Sequence, residues 1–250
     1  MKLIILFFVL ATNAFASIDY KVTARSRNYP TSLVSEFDVG YNVLLWGDSQ
    51  KILYGYLRPN FIFSEIGTFH SGSAALDFYP ISFFKLRGGA SIIKTNSRRT
   101  DINCNEFDCQ GTIRTKFFES SLLLGAGDYF SALKYRINSS DRRDGDKSFL
   151  EFDTMIPMHS RHDQSQFFQM AIGKTINEKW SGLFASGVAS SKDAHGSSTS
   201  HYLLGMWSQD NIEIAGGPGI FRSSLQEKGF SAVLWITWNG RESLALKKRR

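Results

Sequence analysis

The sequence predicts an all-β fold, a closed antiparallel transmembrane β-barrel of about 12 strands (roughly 10–14), with short turns at one end and longer loops at the other. Three observations support this prediction. Short segments alternate apolar and polar residues along most of the chain, and the connections between them alternate between short and long. The first residues have the pattern of an export signal. Together they favour an exported chain that crosses a membrane with strands.

Residues 1–16 have the features of a cleaved signal peptide. Lys2 gives a positive start, an apolar run follows from Leu3 to Ala11, and Ala14-Phe15-Ala16 fits an A-x-A cleavage site. The apolar run is too short to span a bilayer, and no later segment approaches ~18 consecutive apolar residues. We therefore expect an exported protein whose mature chain begins at Ser17 and carries no helical anchor.

Composition and charge narrow the possible classes. Hydrophobic residues make up 42% of the chain and the mean hydropathy is −0.19, which suits a barrel because only every second strand residue faces lipid. The net charge of +6 falls to +5 without Lys2, and the tail after Gly240 carries +4 of it. The body of the chain is therefore nearly neutral, and we expect no nucleic-acid partner.

Alternation along the strands is clearest between residues 36 and 46. Phe37, Val39 and Tyr41 lie on one face of this segment, and Asp38 and Gly40 lie on the other, because successive strand side chains point to opposite sides. The same pattern predicts twelve strands near residues 18–27, 36–46, 52–64, 71–79, 84–95, 114–124, 129–138, 166–175, 180–191, 200–208, 212–223 and 229–238.

The connections between these strands alternate in length. Extracellular loops are predicted at 28–35, 65–70, 96–113, 139–165, 192–199 and 224–228. Short periplasmic turns are predicted at 47–51, 80–83, 125–128, 176–179 and 209–211. The segment from Phe149 to Met158 is placed inside a long outer loop, as a short helix or as a hairpin that extends above the bilayer.

A soluble β-sandwich or periplasmic barrel is the alternative, since its strands alternate too. The exposed face of a soluble protein carries many Lys, Glu and Thr residues. Here the non-aromatic faces are rich in Gly, Ser, Ala and Asn, with few charges. That composition favours a crowded barrel interior over a solvent-exposed surface.

These features resemble the bacterial outer-membrane β-barrel class over Ser17 to Trp238. The resemblance implies a signal peptide at 1–16, a barrel at 17–240 and a basic periplasmic tail at 241–250. It also implies localisation in the cell outer membrane. Members of this class typically end on an aromatic residue of the last strand. Trp238 occupies that place here, although the tail RESLALKKRR extends beyond the strand.

If the apolar faces contact lipid, the other faces line the interior. Charges in such a wall must pair or contact water. The mixture of signs predicts either a cross-linked lumen or a narrow wet pore. The predicted lumen-lining charges are Asp38, Arg58, Asp77, Lys85, Arg87, Glu119, Lys134, Arg136 and Glu213.

Aromatic residues near the strand ends predict girdles at the two membrane interfaces. The residues assigned to these girdles are Trp46, Tyr54, Tyr56, Tyr79, Tyr129, Trp180, Trp207, Trp235 and Trp238.

Cys104 and Cys109 are the only cysteines, and both lie in the predicted loop 96–113. Because the chain is exported, we expect them to form a disulfide. Such a short ring contributes less stability than a long one would. Two cysteines without a nearby histidine supply too few ligands for a metal ion, so we predict no metal site.

No catalytic motif is evident in the sequence. The pairs His70-Ser71, His159-Ser160 and Ser200-His201 are neighbours only along the chain, and strand neighbours point to opposite faces. There is no G-x-S-x-G elbow, P-loop, Rossmann glycine pattern or HExxH motif. We therefore expect neither enzymatic activity nor a cofactor.

The sequence favours an outer-membrane barrel that acts as a structural protein or a narrow passive diffusion pore. Its expected partners are outer-membrane lipids and small solutes. Two alternatives remain. An outer-membrane lipid hydrolase requires a Ser and a His brought together on one barrel wall. A surface-binding or adhesion barrel would act through loops 96–113 and 139–165.

Overall fold

The computed structural model describes residues 16–48, 51, 53–66, 69–96, 104, 106–142, 147–151, 154–225 and 227–241. Residues 1–15 of the predicted signal peptide and residues 242–250 of the predicted tail lie outside this part of the chain. The described residues form fourteen strands: β1 Ala16–Asn28, β2 Thr31–Gly47, β3 Tyr54–Ile66, β4 Phe69–Ile81, β5 Phe84–Asn96, β6 Gln110–Ala126, β7 Tyr129–Arg142, β8 Phe149–Glu151, β9 Ile156–Met158, β10 His162–Thr175, β11 Trp180–Ser191, β12 Ser197–Gln209, β13 Ile212–Ser223 and β14 Gly229–Arg241.

Twelve of these strands close into one antiparallel barrel, which confirms the predicted fold class. Each strand pairs with its neighbour in the chain, except that β7 pairs with β10 across the short β8–β9 hairpin. β1 closes the barrel against β14, with Val22 opposite Trp238. Closure satisfies the backbone hydrogen bonds and leaves no exposed sheet edge, which is what a bilayer requires of a spanning sheet.

The two faces of each strand carry opposite chemistry, and the apolar face is the exposed one. On β2, Phe37 is 41% exposed while its neighbour Asp38 is 4% exposed. On β3, Phe61 is 57% exposed while Asn60 is 2% exposed. A water-soluble barrel would bury the rings and expose the carboxylates. The arrangement therefore matches a barrel whose outer wall contacts hydrocarbon.

The connections differ in length at the two ends of the barrel. One end carries the start of β1, the end of β14 and short turns such as 82–83, 127–128 and 210–211. The other carries the disulfide loop and the long segment that contains β8 and β9. We refer to these as the inner and the outer end, following the usual asymmetry of such barrels.

Some predicted boundaries were wrong. The predicted loop 28–35 is only a turn at residues 29–30, because the β2 ladder with β1 continues to the pair Asn28–Thr31. Alternation persists there, with Leu33 exposed and Val34 buried. The predicted loop 65–70 is likewise shorter, because β3 and β4 pair as far as Ile66–Phe69.

The described part of the segment from Phe149 to Met158 contains a hairpin, β8–β9, which packs into the barrel mouth instead of standing clear of it. Phe149, Ile156 and Met158 are at most 2% exposed and pack against inward-facing residues of the barrel. Since the hairpin has an apolar surface, folding it into the mouth removes that surface from water. No helix of the described residues is both long enough and apolar enough to cross a membrane.

Candidate functional site

An alternating row of charges crosses the inner face of five neighbouring strands. Arg58 on β3 pairs in register with Asp77 on β4, which pairs with Arg87 on β5. Arg87 pairs with Glu119 on β6, and Glu119 pairs with Arg136 on β7. Opposite charges on directly facing strand positions attract. Five of the predicted lumen charges therefore meet in this row through strand register, although they are far apart in sequence.

Arg58 is the centre of the first half of this row. Its Nη2 lies 2.6 Å from Asp19 Oδ1 and 2.8 Å from Asp38 Oδ1, and its Nη1 lies 3.6 Å from Asp77 Oδ2. The guanidinium has five donors in a planar fork, so it can bind several carboxylates at once. Gly40 makes room for it, because a Cβ at that position would overlap the guanidinium.

Glu119 is the centre of the second half. Its two oxygens lie 3.0 Å from Lys85 Nζ and 3.1 Å from Lys134 Nζ. Arg136 donates through Nε to Asn138 at 2.7 Å and lies over the Phe117 ring, with its Cζ 4.2 Å from the ring centroid. Each ionised side chain in this wall is thus held by partners, which offsets the cost of removing it from bulk water.

The acidic and basic members of the network differ in exposure. The carboxylate side chains of Asp19, Asp38, Asp77 and Glu119 are 3%, 6%, 1% and 2% exposed. The side chain of Lys134 is 40% exposed. The side chains of Arg58, Arg87 and Lys85 are 7%, 16% and 18% exposed, so Lys134 is the most exposed of these ion-paired side chains.

The opposite wall, formed by β10 to β14, is lined largely by small residues. Gln169 pairs with Lys134 and is exposed although it faces inward. Beyond it, register partners on the inward face include Ala171, Ala185, Gly187, Ser200, Gly219 and Ser231. These small side chains fill less of the interior than the long side chains of the charged wall.

The structure does not join every predicted lumen charge to the network. Glu213 lies on β13 near the inner end, opposite Ser208 and Thr237. The prediction also omitted Asp19, which binds Arg58 and accepts a hydrogen bond from Asn42 Nδ2 at 2.7 Å. The alternation of the sequence does indicate that Asp19 faces inward, since it lies between outward-facing Ile18 and Tyr20 on β1.

The β8–β9 hairpin occupies the outer mouth of the barrel. On one side Phe149, Ile156 and Met158 pack with Ile113 and Ala189 of the wall. On the other side Leu150 and Met155 pack with Cys109 and Phe221, against which Tyr29 and Phe107 also lie. The hairpin therefore reaches both sides of the mouth and narrows it.

Asp163 fixes the chain where it leaves the hairpin. This fully buried carboxylate accepts hydrogen bonds from the backbone N–H groups of His159, Gln164, Asp193 and Ala194, at 2.7–3.2 Å. Four donors satisfy the charge without a cation. The contact ties the hairpin to the loop between β11 and β12.

The predicted disulfide is confirmed. Cys104 and Cys109 are joined, with their Cα atoms 5.5 Å apart. Asp108 donates its backbone N–H to the Ser148 carbonyl at 2.9 Å, next to the start of β8. The described parts of loops 96–113 and 139–165 thus pack onto each other over the barrel mouth.

The aromatic girdle is only partly as predicted. Trp46, Tyr129, Trp180 and Trp238 are 43–60% exposed near the inner end of the outer wall. Tyr54 and Tyr56 are buried, and Tyr56 stacks on Tyr79 with ring centroids 4.0 Å apart. These tyrosines do lie near a strand end, as predicted. They face the barrel interior and not the lipid, as the pairing of β3 with β4 shows.

A Ser–His contact occurs on the outer wall, between residues that are not neighbours in sequence. Ser186 Oγ on β11 lies 3.0 Å from His201 Nδ1 on β12. Ser200 adjoins His201 in the sequence but faces the other side of the strand. Only the register of β11 with β12 brings Ser186 to His201. Among the described residues, no group of three or more His, Cys, Asp or Glu side chains is arranged to hold a metal ion.

The closed barrel, its apolar outer wall and its charged interior define an outer-membrane β-barrel architecture, as the sequence resemblance predicted. The fold is similar to the NanC porin, with a TM-score of 0.49 and 9% identity, over 88% of this chain and 98% of that chain. The KdgM porin matches with a TM-score of 0.46 and 9% identity, over 88% and 98%. OmpT of Vibrio cholerae matches with a TM-score of 0.45 and 8% identity, over 90% and 98%.

At these identities the likeness concerns the fold alone. No protein-family model matches the chain, and no curated protein matches it.

Proposed function

We propose that this chain is a narrow diffusion pore for small hydrophilic solutes across the outer membrane. The observation that carries the proposal is the exposure of Lys134 and Gln169, which face the barrel interior and still contact solvent. Side chains sealed in a filled barrel would be dry. Exposure of inward-facing polar groups therefore favours a continuous aqueous path.

The path runs between the charged wall and the wall of small residues. Since the network is held by ion pairs, its side chains form a fixed surface past which a solute diffuses. The hairpin sets the size limit at the outer mouth, because it packs on both sides of the opening. A pore of this kind passes small molecules passively and needs no cofactor.

The path favours anions. The carboxylates are almost fully covered, whereas Lys134 remains 40% exposed and its partner Glu119 only 2%. A permeating ion therefore meets positive charge first. Water and mobile ions screen the attraction between Lys134 and a permeating anion beyond a Debye length of about 8 Å at physiological ionic strength. Anion selectivity therefore requires a narrow passage.

Planar-bilayer recording on the full mature barrel tests the pore. We expect discrete conductance steps and, under a KCl gradient, a reversal potential that indicates chloride preference. Lys134→Glu should shift selectivity toward potassium. Lys174→Glu is the matched control, because Lys174 lies on the outer wall, with its Nζ 5.4 Å from the centroid of the Tyr129 ring. Absence of conductance from a folded barrel would overturn the proposal.

We also propose that the chain reaches the membrane by export, with cleavage after Ala16. Lys2, the apolar run and the A-x-A site support this. Mass spectrometry of the protein purified from outer membranes should show a mature chain that begins at Ser17. An intact Met1 on the membrane-inserted protein would contradict it.

A further inference from the structure

The outer wall carries a polar pair in a region that is otherwise apolar. Ser186 and His201 are register partners on β11 and β12, and their Oγ and Nδ1 atoms lie 3.0 Å apart. The Phe184 ring lies nearly parallel to the imidazole, with centroids 6.2 Å apart and planes at 8°. The aromatic contact orients the imidazole, and the hydrogen bond fixes which of its nitrogens faces the hydroxyl.

The pair lies in the outer half of the membrane. Ser186 is six residues beyond Trp180, which pairs with Trp207 in the girdle of the inner end. That distance is roughly 20 Å along the strand, or about 15 Å along the membrane normal for a strand tilt of about 40°, in an apolar band about 25 Å tall. The next outward-facing position of β12 is Thr199, which pairs with Arg222. The pair therefore lies close to the level at which the wall becomes polar.

A groove on the same wall leads away from the pair toward the inner end. It is a shallow, largely open depression of about 550 Å³, and the residues that line it include Ile172, Lys174, Gly182, Phe184, Leu203 and Gly205. Phe184 and Leu203 each lie two residues from a member of the Ser–His pair, on the same face. Its apolar lining and its place on the lipid-facing wall fit one occupant, an acyl chain of a membrane lipid.

We propose that Ser186 and His201 form a hydrolytic site for the acyl esters of membrane lipids. An ionisable side chain that faces lipid is costly, and such residues mark functional sites more often than structural ones. The sequence predicts no enzymatic activity, because no catalytic motif is evident in it. The activity is separate from conduction, because the pair lies on the outer wall and the pore lies inside.

The reaction needs only the pair, the ester and water. With His201 protonated at Nε2, Nδ1 accepts the Ser186 proton as Oγ attacks the ester carbonyl carbon. The tetrahedral intermediate collapses when the C–O bond breaks and the imidazolium returns the proton to the leaving alcohol, a lysolipid. Water then attacks the carbonyl carbon of the acyl-serine and gives one proton to Nδ1. The acyl–Oγ bond breaks as the imidazolium returns that proton to Ser186 Oγ, and the fatty acid leaves. Arg222, the register partner of Thr199 two residues beyond His201, is an exposed cation of the kind that binds phosphate.

The first test is covalent labelling of the intact barrel in lipid vesicles with a fluorophosphonate that bears an alkyl chain. We expect mass spectrometry to find the label on Ser186, and Ser186→Ala to abolish it. His201→Phe, which keeps a stacked ring, should reduce labelling of Ser186 at least tenfold. Ser200→Ala is the matched control, since Ser200 adjoins His201 in the chain but faces the interior. It should label like the wild type.

The second test is release of fatty acid from phospholipid vesicles, which Ser186→Ala should abolish while single-channel conductance stays unchanged. Labelling of Ser186 no greater than that of Ser190 or Ser197, which are exposed on the same two strands, would overturn the proposal. Equal labelling in His201→Phe would overturn it as well. Neither result bears on the pore, whose failure appears only as lost conductance.

Discussion

Individual side chains in the charged wall depend on one another. Three carboxylates surround Arg58, from Asp19, Asp38 and Asp77, and all are buried. Loss of the shared cation would leave negative charges close together in a region with little water. A buried ion pair is weak evidence for net stability, but removing one partner is strongly destabilising because the remaining charge is uncompensated.

Replacing Arg58 by Met should therefore lower the free energy of unfolding by about 3–5 kcal/mol, the usual range for a broken buried pair. Urea unfolding of the barrel in lipid vesicles, followed by tryptophan fluorescence, measures the change. Arg25→Met is the matched control. Its guanidinium lies 3.6 Å from Glu36 and its side chain is 45% exposed. We expect it to cost less than about 1 kcal/mol. Equal losses in the two variants would contradict the role assigned to Arg58.

The sequence predicts that a polar side chain faces the barrel interior where its neighbours along the strand are strongly apolar. Asp38 lies between Phe37 and Val39, and Glu119 follows Phe118, so their facing was evident. The tyrosines gave no such contrast. Tyr54 and Tyr56 lie on the same face as Arg58, yet an aromatic ring suits a membrane interface and a packed interior equally well. Their assignment to a girdle therefore failed.

At the scale of elements, the strands were more predictable than the outer connections. Alternation with a period of two located the twelve barrel strands, because each has one lipid-facing side. It did not locate the packing of β8 and β9. The apolar character of Phe149 and Ile156 does not predict whether the hairpin lies in the bilayer, above it or inside the mouth. Only their contacts with the barrel wall distinguish these positions.

Displacement of the hairpin should open the outer mouth. Ile156→Asp introduces a charge at a fully buried position between the hairpin and the wall. Because an unpaired buried charge is costly, we expect the hairpin to leave the mouth and single-channel conductance to rise. Leu225→Asp, at a 39% exposed position on the loop before β14, serves as the control. Unchanged conductance in Ile156→Asp, with the barrel folded, would mean that the hairpin does not limit the pore.

The disulfide should stabilise the hairpin segment in the barrel mouth more than the barrel as a whole. Cys109 packs with Leu150 and Met155 of the hairpin segment. A ring this short restricts the unfolded chain by only about 2 kcal/mol. In Cys104→Ser/Cys109→Ser we therefore expect a modest loss of global stability and faster cleavage of residues 147–161 by trypsin added outside the vesicles. Cleavage at the wild-type rate would show that the disulfide does not hold the hairpin.

At the scale of the whole molecule, closure creates both candidate sites. The strand register aligns the charges from Arg58 to Arg136 in one row on the inner surface of the barrel. It also places Ser186 next to His201 on the outer surface. Residue type and alternation predicted which charges face inward. They did not predict the Ser–His contact, because a hydrogen bond between adjacent strands depends on a pairing offset that a single sequence does not encode locally.

The central claim is that hydrocarbon covers the outside of this barrel and water fills part of its inside. Spin labels placed singly at residues 168–172 of β10, in the barrel reconstituted in vesicles, test it most directly. Labels at 168, 170 and 172 should be relaxed by oxygen, which concentrates in lipid, because Phe168 and Ile172 are 45% and 55% exposed on the outer wall. Labels at 169 and 171 should be relaxed instead by a water-soluble nickel chelate. The absence of alternation between the two sets, or shielding of 169 and 171 from the chelate, would contradict the account.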